Sequence, residues 1–201
     1  MGSFNNILTE VEARLGNRTN LAGRTSVWVN DAYFELLMSP RFTFHEIERI
    51  ATINTVVGQY TYPLPTGIWF ILNIKDETSG REVRKGNYRS FDRRRRTTGI
   101  PNRYDRFGET IEIDPTPDTV VELHMRYRFR PAELSTGSVT IIGREWDEVI
   151  TAIAVSKGFD ALEQVEQATL QRSLIEALLA ARQDVRQLED TEQEFGIQVR
   201  V

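Results

Sequence analysis

G-Q-Y-T-Y-P-L-P (58–65), G-I-P-N-R-Y (99–104), I-E-I-D-P-T-P-D (111–118) and Y-R-F-R-P-A-E-L-S (127–135) punctuate residues 58–135, and their reading decides the fold. They are turn and strand-end signals in a fixed order. Gly58-Gln59 turns the chain into Tyr60 to Tyr62, and Pro63 and Pro65 end that pairing because proline has no amide hydrogen for a ladder. An apolar strand is expected over 67–74, and D-E-T-S-G (76–80) is a turn before a short strand at 81–83. Residues 103–106 and 110–113 form a hairpin around Phe107-Gly108, closed by Pro115 and Pro117. The clearest strand is 120–130, where Val121, Leu123, Met125, Tyr127 and Phe129 alternate with Glu122, His124, Arg126, Arg128 and Arg130. Upstream, alternation from Glu46 predicts one more strand, and Asn87 caps a short helix predicted over 87–95.

Outside this stretch the period becomes helical. Phe4, Ile7, Leu8, Val11 and Leu15 mark a first helix, capped by Ser3 and ended by Gly16; a second runs from Arg24 or Thr25 to Met38, with Trp28 and Phe34 as core, and stops at Ser39-Pro40. Trp146, Val149, Ile150, Ile153, Ala154 and Lys157 predict a helix up to Gly158. A longer one follows through Leu162, Val165, Leu170, Leu174, Ala177, Leu178, Ala181, Val185 and Leu188, its stripe read as core as far as Leu178. Residues 190–201 then alternate, with Phe195, Ile197, Val199 and Val201 on one side and no hairpin partner nearby. Such a segment pairs with a distant edge, stays unordered or adds to another protein's sheet. The expected fold is α+β: N-terminal helices (1–43) and C-terminal helices (144–189) form one bundle. An antiparallel β-sandwich or barrel-like domain is inserted at 44–143, and an extended tail occupies 190–201.

A chain of 201 residues, 40% hydrophobic, can bury a core as one domain or one domain with appended helices. No apolar run approaches the roughly 18–20 residues of a membrane span, and no signal peptide or membrane partner is expected. The absence of cysteine excludes disulfides, thiolate nucleophiles and cysteine metal sites. The net charge of −4 is unevenly spread. Arg81, Arg84, Lys85, Arg89, Arg93, Arg94, Arg95, Arg96, Arg103 and Arg106 crowd one segment, whereas acids concentrate between 145 and 194. A chain polarised in this way can pair head to tail with its own copies or face a polyanion.

No catalytic constellation is present. His45 and His124 are far apart, and His124, flanked by Glu122 and Arg126 on a polar strand face, reads as a surface imidazole. Asp114 and Asp118 are turn formers beside prolines, and the H-E-x-x-H, G-x-S-x-G and P-loop patterns are missing. No enzyme activity, cofactor or metal is expected. Arg93, Arg94, Arg95 and Arg96 admit three readings: a solvated face, a surface for acidic patches of a neighbouring subunit, or a DNA-facing patch. Leu188 and the tail, with no later helix to cover them, point to contact with another chain.

The order of these signals resembles the head-to-tail adaptor proteins of tailed bacteriophages, of the tail tubular protein A type. The resemblance rests on an N-terminal helix pair, then Glu48, Thr52, Thr55, Gly58, Tyr60, Tyr62, Leu64 and Pro65, then Gly99, Pro101 and Tyr104. Asp114 to Asp118, the Y-R-x-R-P-x-x-L-S strand end and a helix beginning at Trp146 complete it, over about residues 3–185. It implies a virion structural protein of the neck, assembled in the host cytoplasm as a ring, usually of twelve copies. The ring would sit beneath the portal protein, extend the channel for passing genomic DNA without sequence specificity, and offer a platform to the tail tube or nozzle. It also implies that the tail, with Phe195, Ile197, Val199 and Val201, docks on the portal. Ring closure could set acidic C-terminal helices against the Arg-rich β region. The competing reading is a nucleic-acid-binding or regulatory module using the basic segment 81–106.

Overall fold

In the computed structural model, residues 3–21, 23–87, 89, 91 and 97–197 are described, with side chains as far as 183. The fold is mixed α/β, and the chain divides into two compact units, Met1–Phe44 with Ala132–Val201, and His45–Pro131.

The first unit is built on helices α1 (Phe4–Arg14), α2 (Arg24–Met38), α3 (Asp147–Ala161) and α4 (Val165–Ile197). Helix α3 is the spine: every side chain from 149 to 156 is buried, as expected of a helix that is apolar all round, and α1, α2 and α4 all pack on it. Gly158, expected to end this helix, lies inside it. A Cβ there would fall 2.6 Å from Leu15 Cδ1 and 3.2 Å from Trp28 Cζ3, so the glycine lets α1 and α2 close onto α3. Ser3 occupies the N-cap position of α1 without a side-chain cap bond, and forms an antiparallel bridge with Val139. Gly16, at φ 81°, takes the left-handed conformation that ends the helix. On α2 the core face is Val29, Ala32, Tyr33, Leu36 and Leu37, whereas Trp28 and Phe34, expected in the core, are only half-buried. Trp146 meets Phe42 and Phe44 edge-on, with ring centroids 4.8 and 5.1 Å away.

Residues 132–143, expected in the β domain, are bound to the helical unit instead. Asn30 Nδ2 donates to the Leu134 carbonyl at 3.0 Å while the Leu134 amide donates to Asn30 Oδ1 at 2.7 Å, and the Ile141 amide donates to the Tyr33 hydroxyl. The expected extended tail is also corrected: α4 continues to Ile197, so 190–197 are helical, while 198–201 lie outside the described residues. A lone strand leaves its backbone groups unpaired. A helix satisfies them within the segment, and Glu, Gln, Arg and Leu favour it.

The second unit holds β1 (Glu48–Asn54), β2 (Thr61–Pro63), β3 (Ile68–Asp76), β4 (Glu82–Lys85), β5 (Thr98–Gly99), β6 (Arg103–Phe107), β7 (Thr110–Asp114), β8 (Thr116–Pro117) and β9 (Glu122–Phe129). Seven form a curled half-barrel sheet in the order β1-β9-β3-β4-β6-β7-β2, and β5 pairs with β8. The sequence predicts an antiparallel sandwich or barrel-like domain; the sheet curls as a half-barrel but is mixed, because β4–β6 is parallel, as is β5–β8 in the separate two-stranded sheet. Parallel neighbours need a long crossover, and the stretch from 86 to 102 supplies it. Tyr62, Ile74, Val83, Tyr104, Ile111, Ile113, Val121, Leu123 and Met125 form the core of the curl. Thr55 continues the β1–β9 ladder through its hydroxyl, which accepts the Val121 amide at 2.7 Å and donates to the Thr119 carbonyl. The Tyr62 hydroxyl accepts the Val56 amide at 2.9 Å and donates to the Gln59 carbonyl at 2.8 Å, tying down the turn at Gly58.

Candidate interaction surfaces

The parallel pairing of β4 with β6 sets Arg84 beside Arg103 and Lys85 beside Tyr104. Around this pair Arg81, Glu82, Arg84, Lys85, Asn102 and Arg103 line a groove of about 580 Å³. Backbone hydrogen bonds join its two walls: the Arg84 amide donates to Asn102 O at 3.0 Å, and the Gly86 amide to Tyr104 O at 2.6 Å. Beneath it, burial first, then the nearby Glu82 and Asp105 carboxylates, push the Tyr104 phenol above its usual range, so it stays neutral. Next to the groove the chain is pinned by Phe91, whose buried ring lies where a Cβ on Gly86 would be, 2.8 Å from two ring atoms. Asn87 Oδ1 accepts the Arg89 amide at 3.0 Å. Arg93, Arg94, Arg95 and Arg96, the sequence candidates for a neighbour or DNA contact, lie outside the described residues, as does most of the helix expected at 87–95.

Not every arginine of the basic segment serves a surface. Arg106 reaches from β6 to β3, where its Nη1 donates to Trp69 O at 2.7 Å and its Nη2 to Ile68 O at 3.4 Å; its Nε donates to Gly108 O at 2.9 Å. Strand β4 pairs with β3 only at Ile74 and Lys75, so Arg106 bonds carbonyls on a part of β3 that β4 does not reach.

Beyond the turn of β3, Asp76 Oδ1 accepts the amides of Thr78 and Ser79 at 2.9 and 3.2 Å, and Oδ2 accepts the Ser79 hydroxyl. Burial alone would raise this carboxyl, but the hydrogen bonds from Ser79 and Thr78, with Arg81, outweigh it and hold the group below its usual range. His124 lies between two carboxylates, Nδ1 3.1 Å from Glu77 and Nε2 2.9 Å from Glu122. The imidazole thus bridges two partly exposed carboxylates on the surface of the unit. Among the described residues no group of three or more His, Asp or Glu side chains is placed to hold a metal, and no helix is long and apolar enough to cross a membrane.

Helix α4 offers a different surface. Its inner face follows Ala168, Gln171, Ile175, Leu178, Leu179 and Arg182, which are buried or half-buried. Leu170 and Leu174, read from sequence as core, are 69% and 36% exposed, and Ala177 and Ala181 continue their row outward. Steps of four, three and four residues make this row a straight apolar seam of the kind that packs on another helix. Two ion pairs fix the helix beneath it: Arg172 to Asp160 at 2.6 Å, and Arg41 to Glu176 at 2.7 Å. Exposure of Leu170 could not be read from sequence, since both faces of α4 carry apolar residues and only packing shows which one α3 takes. Phe195 and Ile197 lie in the last turns of α4, and Val199 and Val201 outside the described residues.

Comparison with known proteins places the chain. The sequence model of the SU10 adaptor protein family, a phage head-to-tail adaptor family, matches residues 3–198, and the chain belongs to that family. No curated protein matches it.

Proposed function

We propose that this member of the SU10 adaptor family works in the virion neck purely by binding: copies close into a ring, twelve by the resemblance, that seats beneath the portal. The ring extends the DNA channel and presents a platform to the tail tube or nozzle. The observation that supports this reading best is the outward seam of α4, with Leu170 and Leu174 exposed on a helix whose opposite face is already packed. Burying a leucine side chain stabilises a contact by about 1.5–3 kcal/mol. Packed on a different surface of the next copy and repeated at each junction, such a seam builds a ring when the rotation between copies closes. The end of α4 with Phe195 and Ile197, and Val199 and Val201 beyond it, is the portal-docking segment.

Two variants test the two surfaces separately. Leu170→Glu with Leu174→Glu leaves a folded chain, because both positions face outward, but abolishes ring formation on portal assemblies viewed by electron microscopy. Deletion of 190–201 leaves the fold intact and removes portal binding. Rings that form normally with the double variant remove the seam from the account, and unchanged portal binding after the deletion removes the tail.

A further inference from the structure

We infer that the groove between β4 and β6 is a phosphate site that grips a nucleic-acid backbone. Ring building needs no such site, and the neck reading enters only as the source of the nucleic acid. The groove gathers Arg81, Arg84, Lys85 and Arg103 around one carboxylate, Glu82, and one amide, Asn102. Four cations of the helical unit are paired with carboxylates: Arg14 with Glu10, Arg41 with Glu176, Lys157 with Glu35 and Arg172 with Asp160, at 2.6–2.8 Å. Among the described residues Arg84, Lys85 and Arg103 have no such partner. The strand register sets Arg84 directly beside Arg103, and like charges on adjacent strands repel. An anion between them turns that repulsion into attraction.

Phosphate fits this geometry. Each guanidinium presents a planar fork that bonds two phosphate oxygens at once, and the lysine adds a point charge. Four cations along a groove open to solvent suit a chain of phosphates better than a single small anion. Acidic helices of a second copy are the other polyanion available. They fit less well: Glu35, Asp160 and Glu176 are already engaged by the unit's own cations, and the exposed Glu148, Glu163 and Glu166 are spread over α3, the turn after it and α4 rather than set in a continuous row of charge. Charge neutralisation is independent of base sequence, so the grip is nonspecific and strongly salt-dependent.

The test uses the full chain with a fluorescein-labelled 30-base-pair duplex, and anisotropy titrations from about 50 to 200 mM salt. The wild-type chain binds the duplex and weakens steeply with salt. Arg84→Gln with Arg103→Gln lowers affinity at least about tenfold at low salt and reduces the log–log salt slope by about two, near 0.9 per lost phosphate contact. Arg172→Gln, on the helical unit, serves as the control and leaves both unchanged. The groove variant keeps its fold because it relieves a like-charge pair, as circular dichroism checks. Absence of duplex binding, or an unaltered slope in the groove variant, overturns the phosphate site. Binding of a glutamate polymer but not of duplex overturns it in favour of a carboxylate partner. Portal docking, scored in parallel, separates the two readings: wild-type rings that assemble although the wild-type chain binds no duplex remove this site and leave the adaptor role standing, whereas duplex binding lost in the groove variant without any portal docking by the wild-type chain removes the adaptor role and leaves this site.

Discussion

Replacing Arg106 with methionine keeps an apolar stem of similar reach but removes the guanidinium that spans from β6 to β3. Three carbonyls lose a donor: Trp69 at 2.7 Å, Gly108 at 2.9 Å and Ile68 at 3.4 Å. The last is long enough to be weak, so the cost rests on the first two. A hydrogen bond to a charged group contributes about 1.5–3 kcal/mol net, and partial access of water to these carbonyls puts the variant near 2 kcal/mol in total. With a urea m-value of roughly 2 kcal/mol/M, the unfolding midpoint falls by about 1 M. The comparison variant is Arg84→Met, whose side chain makes no bond among the described residues and whose cost stays within about 0.5 kcal/mol. Urea titration followed by circular dichroism reads both, and hydrogen exchange of peptides covering 66–76 localises the effect. Equal midpoints for the two variants, or no faster exchange in β3, would show that Arg106 is an ordinary surface arginine and that this region of β3 is held by other means.

Tyr62→Phe removes the hydroxyl that binds Val56 and Gln59 and costs about 1–2 kcal/mol; the Val56 amide then exchanges faster, and unchanged exchange contradicts the tie. Asp76 has its carboxyl held low in the folded chain, so its contribution is complete above the unfolded value and lost as pH falls through the lower folded value. Asp76→Asn therefore destabilises at pH 7, and denaturation at successively lower pH shows the gap from wild type closing; a gap constant with pH refutes the assignment. Gly86→Ala drives a methyl against the Phe91 ring and costs about 1–3 kcal/mol, and Phe91→Leu in the same chain recovers part of it. Strict additivity in that double-mutant cycle counts against the contact.

Local signals were legible wherever neighbours in sequence are neighbours in space. The β6–β7 hairpin, the alternation of β9 and the two N-terminal helices lie where turn residues and apolar spacing put them. The turn at Gly58 was legible in the sequence, whereas its left-handed backbone and the Tyr62 hydroxyl that ties it down emerge only with the fold. The parallel register of Arg84 with Arg103 was illegible, because hairpin signals announce antiparallel neighbours and nothing local marks strands joined by a crossover. Gly158 misled as a terminator, since a glycine needed for close helix approach looks the same in sequence as one that ends a helix. The alternation of Phe195 and Ile197 misled likewise: a period of two is a packing signal, and with no sheet beside it the backbone satisfies itself as helix. For the surfaces, sequence located the basic segment but not which arginines are spent on the fold, as Arg106 is, and which line the open groove.

The adaptor role is tested most directly by imaging purified portal assemblies mixed with the full chain. The account predicts a second ring stacked on the lower rim of the portal, with the α4 seam of each copy against a different surface of its neighbour. Portal particles that remain bare at saturating chain, with the chain folded and present in solution, would contradict it.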